Sequence, residues 1–186
     1  MSRSPIHKLL KAHGVALAPG LSEDEVRRAE QLYEIRFPPD LRELLMEVLP
    51  LGDRFYNWRD FSESNIRVIR ERLDWPLEGM LFDVEHNVFW PENWGMRPTE
   101  LEEAKAIATA EYAKVPRLIP LYSHRFIPET PHEARNPVFS VHQMDVIHYG
   151  ENLEEYFKVE FRDKSYEEID WNSIRPIPFW GELEFL

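Results

Sequence analysis

The sequence predicts an α+β fold in a single domain. Three observations predict it. The chain has 186 residues, about the length of one domain. It is 43% hydrophobic and 13% aromatic, enough for a sizeable core and too much for a disordered chain. Apolar residues recur at helical spacing through much of the first half and at strand spacing through much of the second. Helices and short strands are therefore grouped rather than strictly alternating, which favours α+β over a doubly wound sheet. An N-terminal helix and connector open the chain (1–20), and an acidic, aromatic tail closes it (162–186).

The elements follow in order. Ser4-Pro5 before Ile6, Leu9 and Leu10, with Gly14 after, predicts a short capped helix. Val15 to Gly20 reads as a connector. Ser22-Glu23-Asp24-Glu25 is a capping box: the Ser22 hydroxyl accepts from the Glu25 N–H and the Glu25 carboxylate reaches back. Val26, Ala29, Leu32 and Tyr33 then share one helical face. Pro38-Pro39 breaks that helix, and Leu41, Leu44, Leu45 and Val48 form the stripe of the next, which Pro50 and Gly52 end. Phe55 to Trp58 reads as a short strand. Ile66, Ile69 and Leu73 predict a helix that starts at Ser62 or Ser64 and breaks at Trp75-Pro76. Gly79 to Val84 and Asn87 to Trp90 read as two short strands, and 91–97 as an aromatic, proline-rich loop.

Pro98-Thr99 opens a helix whose Leu101, Ala104, Ala108 and Tyr112 lie on one face, and Pro116 stops it. Leu118 to Tyr122 reads as a buried strand and 123–137 as a long, proline-interrupted loop. Val138 to His142 and Val146 to Tyr149 read as a strand pair around Gln143-Met144-Asp145. Glu151 or Asn152 caps a last helix to about Phe161. The tail carries Trp171, Phe179, Trp180 and Phe185.

Composition narrows the chemistry. No cysteine is present, which excludes disulfides, thiolate zinc sites, iron–sulfur clusters and a cysteine nucleophile. The formal net charge of −12 argues against a general nucleic-acid binder and suits either a soluble protein or one that meets a basic partner. Half of that excess lies in the last 36 residues, where ten acids face four bases. This makes Glu154, Glu155 and Trp171 candidates for a docking surface, against a packed, solubilising tail. No long apolar run suggests a signal peptide or membrane span, so the expected location is cytoplasmic.

Catalytic patterns are weak. Ser123 and His124 are neighbours, but adjacent residues on a strand point to opposite faces, and no Gly-x-Ser-x-Gly elbow surrounds Ser123 or Ser140. His142 and His148 flank one hairpin turn, so their imidazoles could approach as a ligand or metal site; the alternative is ordinary strand histidines. The acid pairs Glu102-Glu103, Glu154-Glu155 and Glu167-Glu168 sit on polar stretches and read as solvated faces. No Gly-rich phosphate loop occurs.

Two constellations read as binding surfaces. One is the loop with Trp90, Trp94 and Arg97, since Trp and Arg dominate binding hot spots; the alternative is that the tryptophans cap the core. The other is the loop with Arg125 and Phe126, where Arg125 is either a clamp to a carboxylate or a recognition group.

The stretch Leu21 to Leu45 resembles the SUKH superfamily of fungal cell-wall-synthesis regulators and bacterial toxin-immunity proteins. The resemblance rests on Leu21-Ser22-Glu23-Asp24-Glu25, Ala29-Glu30 and Ile35 through Leu45. Leu118-Ile119-Pro120-Leu121 is similar to the family's Ile-Pro-Ile strand, and Asn152 through Phe157 to its closing helix. Two places depart from the pattern: Leu49-Pro50-Leu51-Gly52-Asp53 replaces paired glycines, and Ser123 through Pro128 replaces a Gly/Asp-rich turn. The resemblance spans about residues 20–160, which it makes the core of a single SUKH-like domain, and implies an α+β fold with a central mixed or antiparallel sheet and helices packed around it, no cofactor, no catalytic set and a protein-binding role, often toxin neutralisation. Two other functions stay open: a regulatory scaffold in cell-wall or stress signalling, and a small-molecule or metal-binding protein that uses the Arg125 and His142/His148 region.

Overall fold

Four strands form an antiparallel sheet in the order β3 (Leu118–Tyr122), β4 (Arg125–Pro128), β5 (Val138–His142) and β6 (Asp145–Gly150). The structure is a computed structural model and describes residues 3–184. An antiparallel sheet often leaves one face wet and then alternates apolar with polar residues. Here β3 is buried at four consecutive positions, because both faces are covered. Ile119, Leu121, Ile127 and Val138 join one core, while Leu118, Phe126, Phe139, Val141 and Val146 join a second.

The first core is built with α1 (Pro5–Ala12), α2 (Glu23–Tyr33), α3 (Pro39–Glu47) and α6 (Leu153–Glu160), through residues such as Leu10, Val26, Leu44 and Tyr156. The Ser22–Glu25 capping box forms with both bonds present. A two-stranded sheet, β1 (Ala16–Pro19) with β2 (Val48–Leu51), lies beside these helices. The second core is closed by α5 (Leu101–Tyr112), α7 (Trp180–Leu183) and the far half of α4 (Glu63–His86).

That long helix corrects three expectations. It does not break at Trp75-Pro76; it runs on through Pro76 for 24 residues, roughly 36 Å. An internal proline costs a hydrogen bond. Packing outweighs it: Ile69 and Leu73 bury in the first core, and Met80 and Val84 one and two turns past the proline bury in the second. Residues 79–84 are therefore helical, not a strand. Residues 87–90 are the helix exit, where the N–H groups of Asn87 and Phe89 both donate to the Asp83 carbonyl and Val88 takes a left-handed φ of 59°.

Smaller corrections follow the same logic of partners over local pattern. The connector at 15–20 holds β1, formed because Ala16 through Pro19 pair with β2, and the third helix ends at Glu47 rather than Pro50. Phe55 to Trp58 contributes one bridge, Phe55 to Tyr122, rather than a strand. The loop at 123–137 contains β4, entered by a tight turn at Ser123 and His124 with Ser123 at φ 51°. The rest of that loop is pinned by the buried Asn136, whose Nδ2 donates to the carbonyls of Pro128 and Pro131 and whose Oδ1 accepts from Arg175. In the tail, Trp180 is fully buried and donates to the Pro116 carbonyl at 2.6 Å. Phe185 lies outside the described residues.

Candidate functional site

The chain leaving α4 folds back as an aromatic platform. Phe89 and Trp90 each pack edge-on against Trp94, at 5.8 and 5.2 Å between ring centres. The Trp90 indole N–H donates to the Gly95 carbonyl at 2.8 Å. A 3-10 turn spans Glu92–Trp94, and Gly95 follows it at φ 81°, where a side chain would be strained. The Arg97 guanidinium donates to the Val84 carbonyl at 2.6 Å, satisfying a group in the last turn of α4. Trp90 and Trp94 are half-buried against the second core, so they support this loop more than they project from it.

What projects is a set of residues that no pattern singled out. Met96 is 95% exposed, Val88 73% and Phe82 46%. Among the described residues, five large hydrophobic side chains are this open, and three of them lie between residues 82 and 96. Between Glu85 and Glu103 five acids stand against the one base Arg97. Along the chain this stretch is therefore open at three apolar positions and acidic between them, although Glu85 is paired with Lys105. Burial depends on which way the helix turns, and the misread helix hid Phe82; nothing local marks Met96.

The second predicted surface is interior. Phe126 is fully buried in the second core, which removes it as a contact residue. Its place follows from β4, where Arg125 and Phe126 point to opposite faces. Arg125 is a clamp: its Nε sits 3.1 Å from Glu160 Oε2, its Nη1 donates to Ser140 Oγ at 2.6 Å, and its guanidinium lies 3.7 Å from the Tyr149 ring centre.

The same arginine decides the state of His124. Contrary to the strand argument, Ser123 Oγ lies 3.3 Å from His124 Nδ1, because both residues sit in a turn. Arg125 Nη1 donates to His124 Nε2, and arginine can only donate. The ring proton is therefore on Nδ1, facing Ser123, so this imidazole cannot take the serine proton. Burial, then the Arg125 charge, pushes the His124 pKa below its usual value and keeps the ring neutral.

His142 and His148 are not brought together. His142 pairs with Asp145 beside the turn, while His148 sits opposite Phe139, three residues back along β5. No group of three or more potential ligands clusters for a metal among the described residues. His148 is instead buried beside the tail: its Nδ1 lies 2.5 Å from Glu184 Oε2, and its Nε2 has no partner. Trp171, 45% exposed, stands edge-on to that imidazole. Glu154 and Glu155 share Lys158, and Glu155 also meets Lys164, which the buried Glu151 engages as well, so both are ion-paired within the fold. Among the described residues no helix is long and apolar enough to cross a membrane.

Comparisons of the chain with known protein families, with curated proteins and with solved structures return no match.

Proposed function

We propose that this protein is a non-catalytic binding module that covers a basic partner protein with its aromatic platform. The observation that carries the reading is that three of the five most open large hydrophobic side chains among the described residues, Phe82, Val88 and Met96, lie between residues 82 and 96, on a chain of net charge −12. Single exposed apolar residues are ordinary, but several on one short stretch favour an interaction surface. The net acidity steers a basic partner in and rejects acidic ones. Platform rigidity lowers the entropic cost of docking, and the Trp90–Gly95 and Arg97–Val84 bonds supply it. The SUKH resemblance supports a partner-binding role and suggests the partner's class: a toxin domain. A nuclease toxin needs positive charge to hold phosphates.

The test is affinity capture from the native host with the parent chain and with a Phe82→Ser/Met96→Ser variant. Both positions are exposed, so the variant folds. The expected result is a basic protein held by the parent, released as salt rises and depleted at least about tenfold by the variant. Equal recovery on both, or partners that are acidic, would overturn the reading.

A further inference from the structure

We propose that the groove between α1 and the free edge of β1 binds an extended acidic segment of a partner protein, which adds to β1 as a third strand. The groove encloses about 500 Å³ and is lined by Arg3 and Lys11, before and on α1, and by Leu17, Ala18 and Pro19 of β1. Alternate strand residues point to opposite faces. Three consecutive residues along one groove therefore place it at the edge of the strand rather than over one face.

The register leaves that edge chemically open. β1 pairs only with β2, and Leu17 stands opposite Pro50. Proline has no N–H, so this pair cannot exchange two bonds. Bonded and non-bonded pairs alternate along an antiparallel ladder, so the bonded pairs are Ala16 with Leu51 and Ala18 with Leu49. The N–H and C=O of Leu17 then point away from β2, as does the C=O of Pro19. None of these three groups has a partner among the described residues. An incoming strand finds a donor and an acceptor at Leu17 and a further acceptor at Pro19. Main-chain bonds of this kind supply affinity, and side chains supply the choice of partner.

Charge makes that choice. Residues 1–22 hold Arg3, Lys8 and Lys11 and no Asp or Glu, in a chain of net charge −12. Arg3 and Lys11 are exposed, and neither pairs with an acid among the described residues; the ion pairs at this end belong to His7 and His13. The acid that lines the groove, Glu47, accepts the Ser4 N–H at 2.9 Å and lies 3.3 Å from His7 Nδ1, so it is engaged within the fold. The two open cations set the sign of the groove. They also repel a second copy of the same edge, one of the ways natural edges avoid self-pairing. The inference uses other elements than the stretch 82–96, so either reading can fail without the other.

The experiment titrates the full chain at low salt with the acetylated, amidated pentapeptide Glu-Val-Glu-Val-Glu and follows amide chemical shifts. Two related peptides separate the contributions. Gln-Val-Gln-Val-Gln removes the charge, and N-methylation of the three central residues of the Glu peptide removes the main-chain donors. The Glu peptide is expected to saturate, to move the Leu17 amide and to bind at least about tenfold tighter than either relative. Arg3→Ser/Lys11→Ser, at two exposed positions, should bring the Glu and Gln peptides together. Leu17→Pro deletes the edge donor and should weaken the Glu peptide; the N-methylated peptide tests the same pairing on the parent chain, so the result does not depend on that variant folding. No saturation, equal binding of the Glu peptide and either relative, or shifts confined to residues outside 3–19 would each overturn the proposal. Tighter binding to vesicles of anionic lipid than to the Glu peptide would overturn it and assign the groove to a membrane surface. A dimer of the parent that Leu17→Pro abolishes would overturn it in favour of a second copy.

Discussion

Asp83 Oδ2 accepts the backbone N–H of Met144 at 2.8 Å and ties α4 to the turn of the β5–β6 hairpin. The carboxylate is buried, and its Oδ1 accepts from Asn87 Nδ2 at 2.5 Å. The same residue's carbonyl closes the helix through Asn87 and Phe89. One side chain and its own backbone thus hold the hairpin on one side and aim the aromatic platform on the other. Asp83→Ala should destabilise the protein by about 2–3 kcal/mol, because it leaves the buried Met144 donor unpaired. Asp83→Asn keeps one acceptor for two donors and should lose less. Equilibrium urea unfolding of the two variants checks the order; equal losses would show that the Met144 bond contributes nothing.

Gly79, one helical turn before Asp83, makes the close approach possible. A Cβ at this position would fall 2.7 Å from the Gln143 Cα, which is backbone in a tight turn. Alanine is the better helix former by about 1 kcal/mol. The steric cost of forcing the hairpin away is about 1–3 kcal/mol and wins or at least cancels it. Gly79→Ala should therefore not raise stability despite its helix propensity. A clear increase in melting temperature would refute the contact.

Arg125 and Glu160 form a pair with side chains only 11% and 14% exposed. Removing one partner of a buried pair costs about 3–5 kcal/mol, mostly through the charge left behind. Arg125→Met should lose stability in that range, and Arg125→Met/Glu160→Met should lose less than the two single changes added together. Partner capture by the surviving folded fraction should stay unchanged, since Arg125 faces inward. A loss of capture with intact stability would return Arg125 to a recognition role.

Glu25 ties the capping box to Arg59. The Arg59 guanidinium bonds its carboxylate at 2.7 Å and, with the Ser22 N–H, draws its pKa down to about 2. The unfolded value is about 4.3. A depressed carboxylate pKa stabilises the fold above the unfolded value, and that contribution fades as pH falls from about 5 towards 2. The stability difference between parent and Glu25→Gln should be full at neutral pH and shrink across this window. A difference that is flat with pH would remove the linkage.

The order of these elements was largely legible, because it rests on local chemistry. The Ser22 box, the Pro38-Pro39 break and the Val138–His148 hairpin each carry their signal within a few residues. The long helix was not, since Pro76 and Gly79 are local breakers and their compensation lies in two cores far apart in sequence. For the site, Trp90, Trp94 and Arg97 marked the right loop, yet they are its scaffold. The exposed Phe82, Val88 and Met96 are ordinary apolar residues whose meaning depends on being outside. His148 was noticed for a pairing with His142 that the strand register forbids. Its partner, Glu184, comes from the tail, 36 residues on.

Val88 separates stability from function. It is β-branched, holds a left-handed φ of 59° and is 73% exposed, so it is strained and gains little from burial. Such strain costs about 1–3 kcal/mol, and it is offset in part by the greater chain entropy of a glycine when unfolded. Val88→Gly should therefore raise stability by about 1 kcal/mol, read as a higher urea midpoint. Val88→Asn, whose short polar side chain tolerates this conformation, should not fall below the parent. If this stretch docks on a partner, both variants delete an exposed apolar side chain from it, so capture should weaken while the fold grows firmer. Tighter folding with undiminished capture would take Val88 out of the interface, because the only remaining effect of the side chain would be its strain.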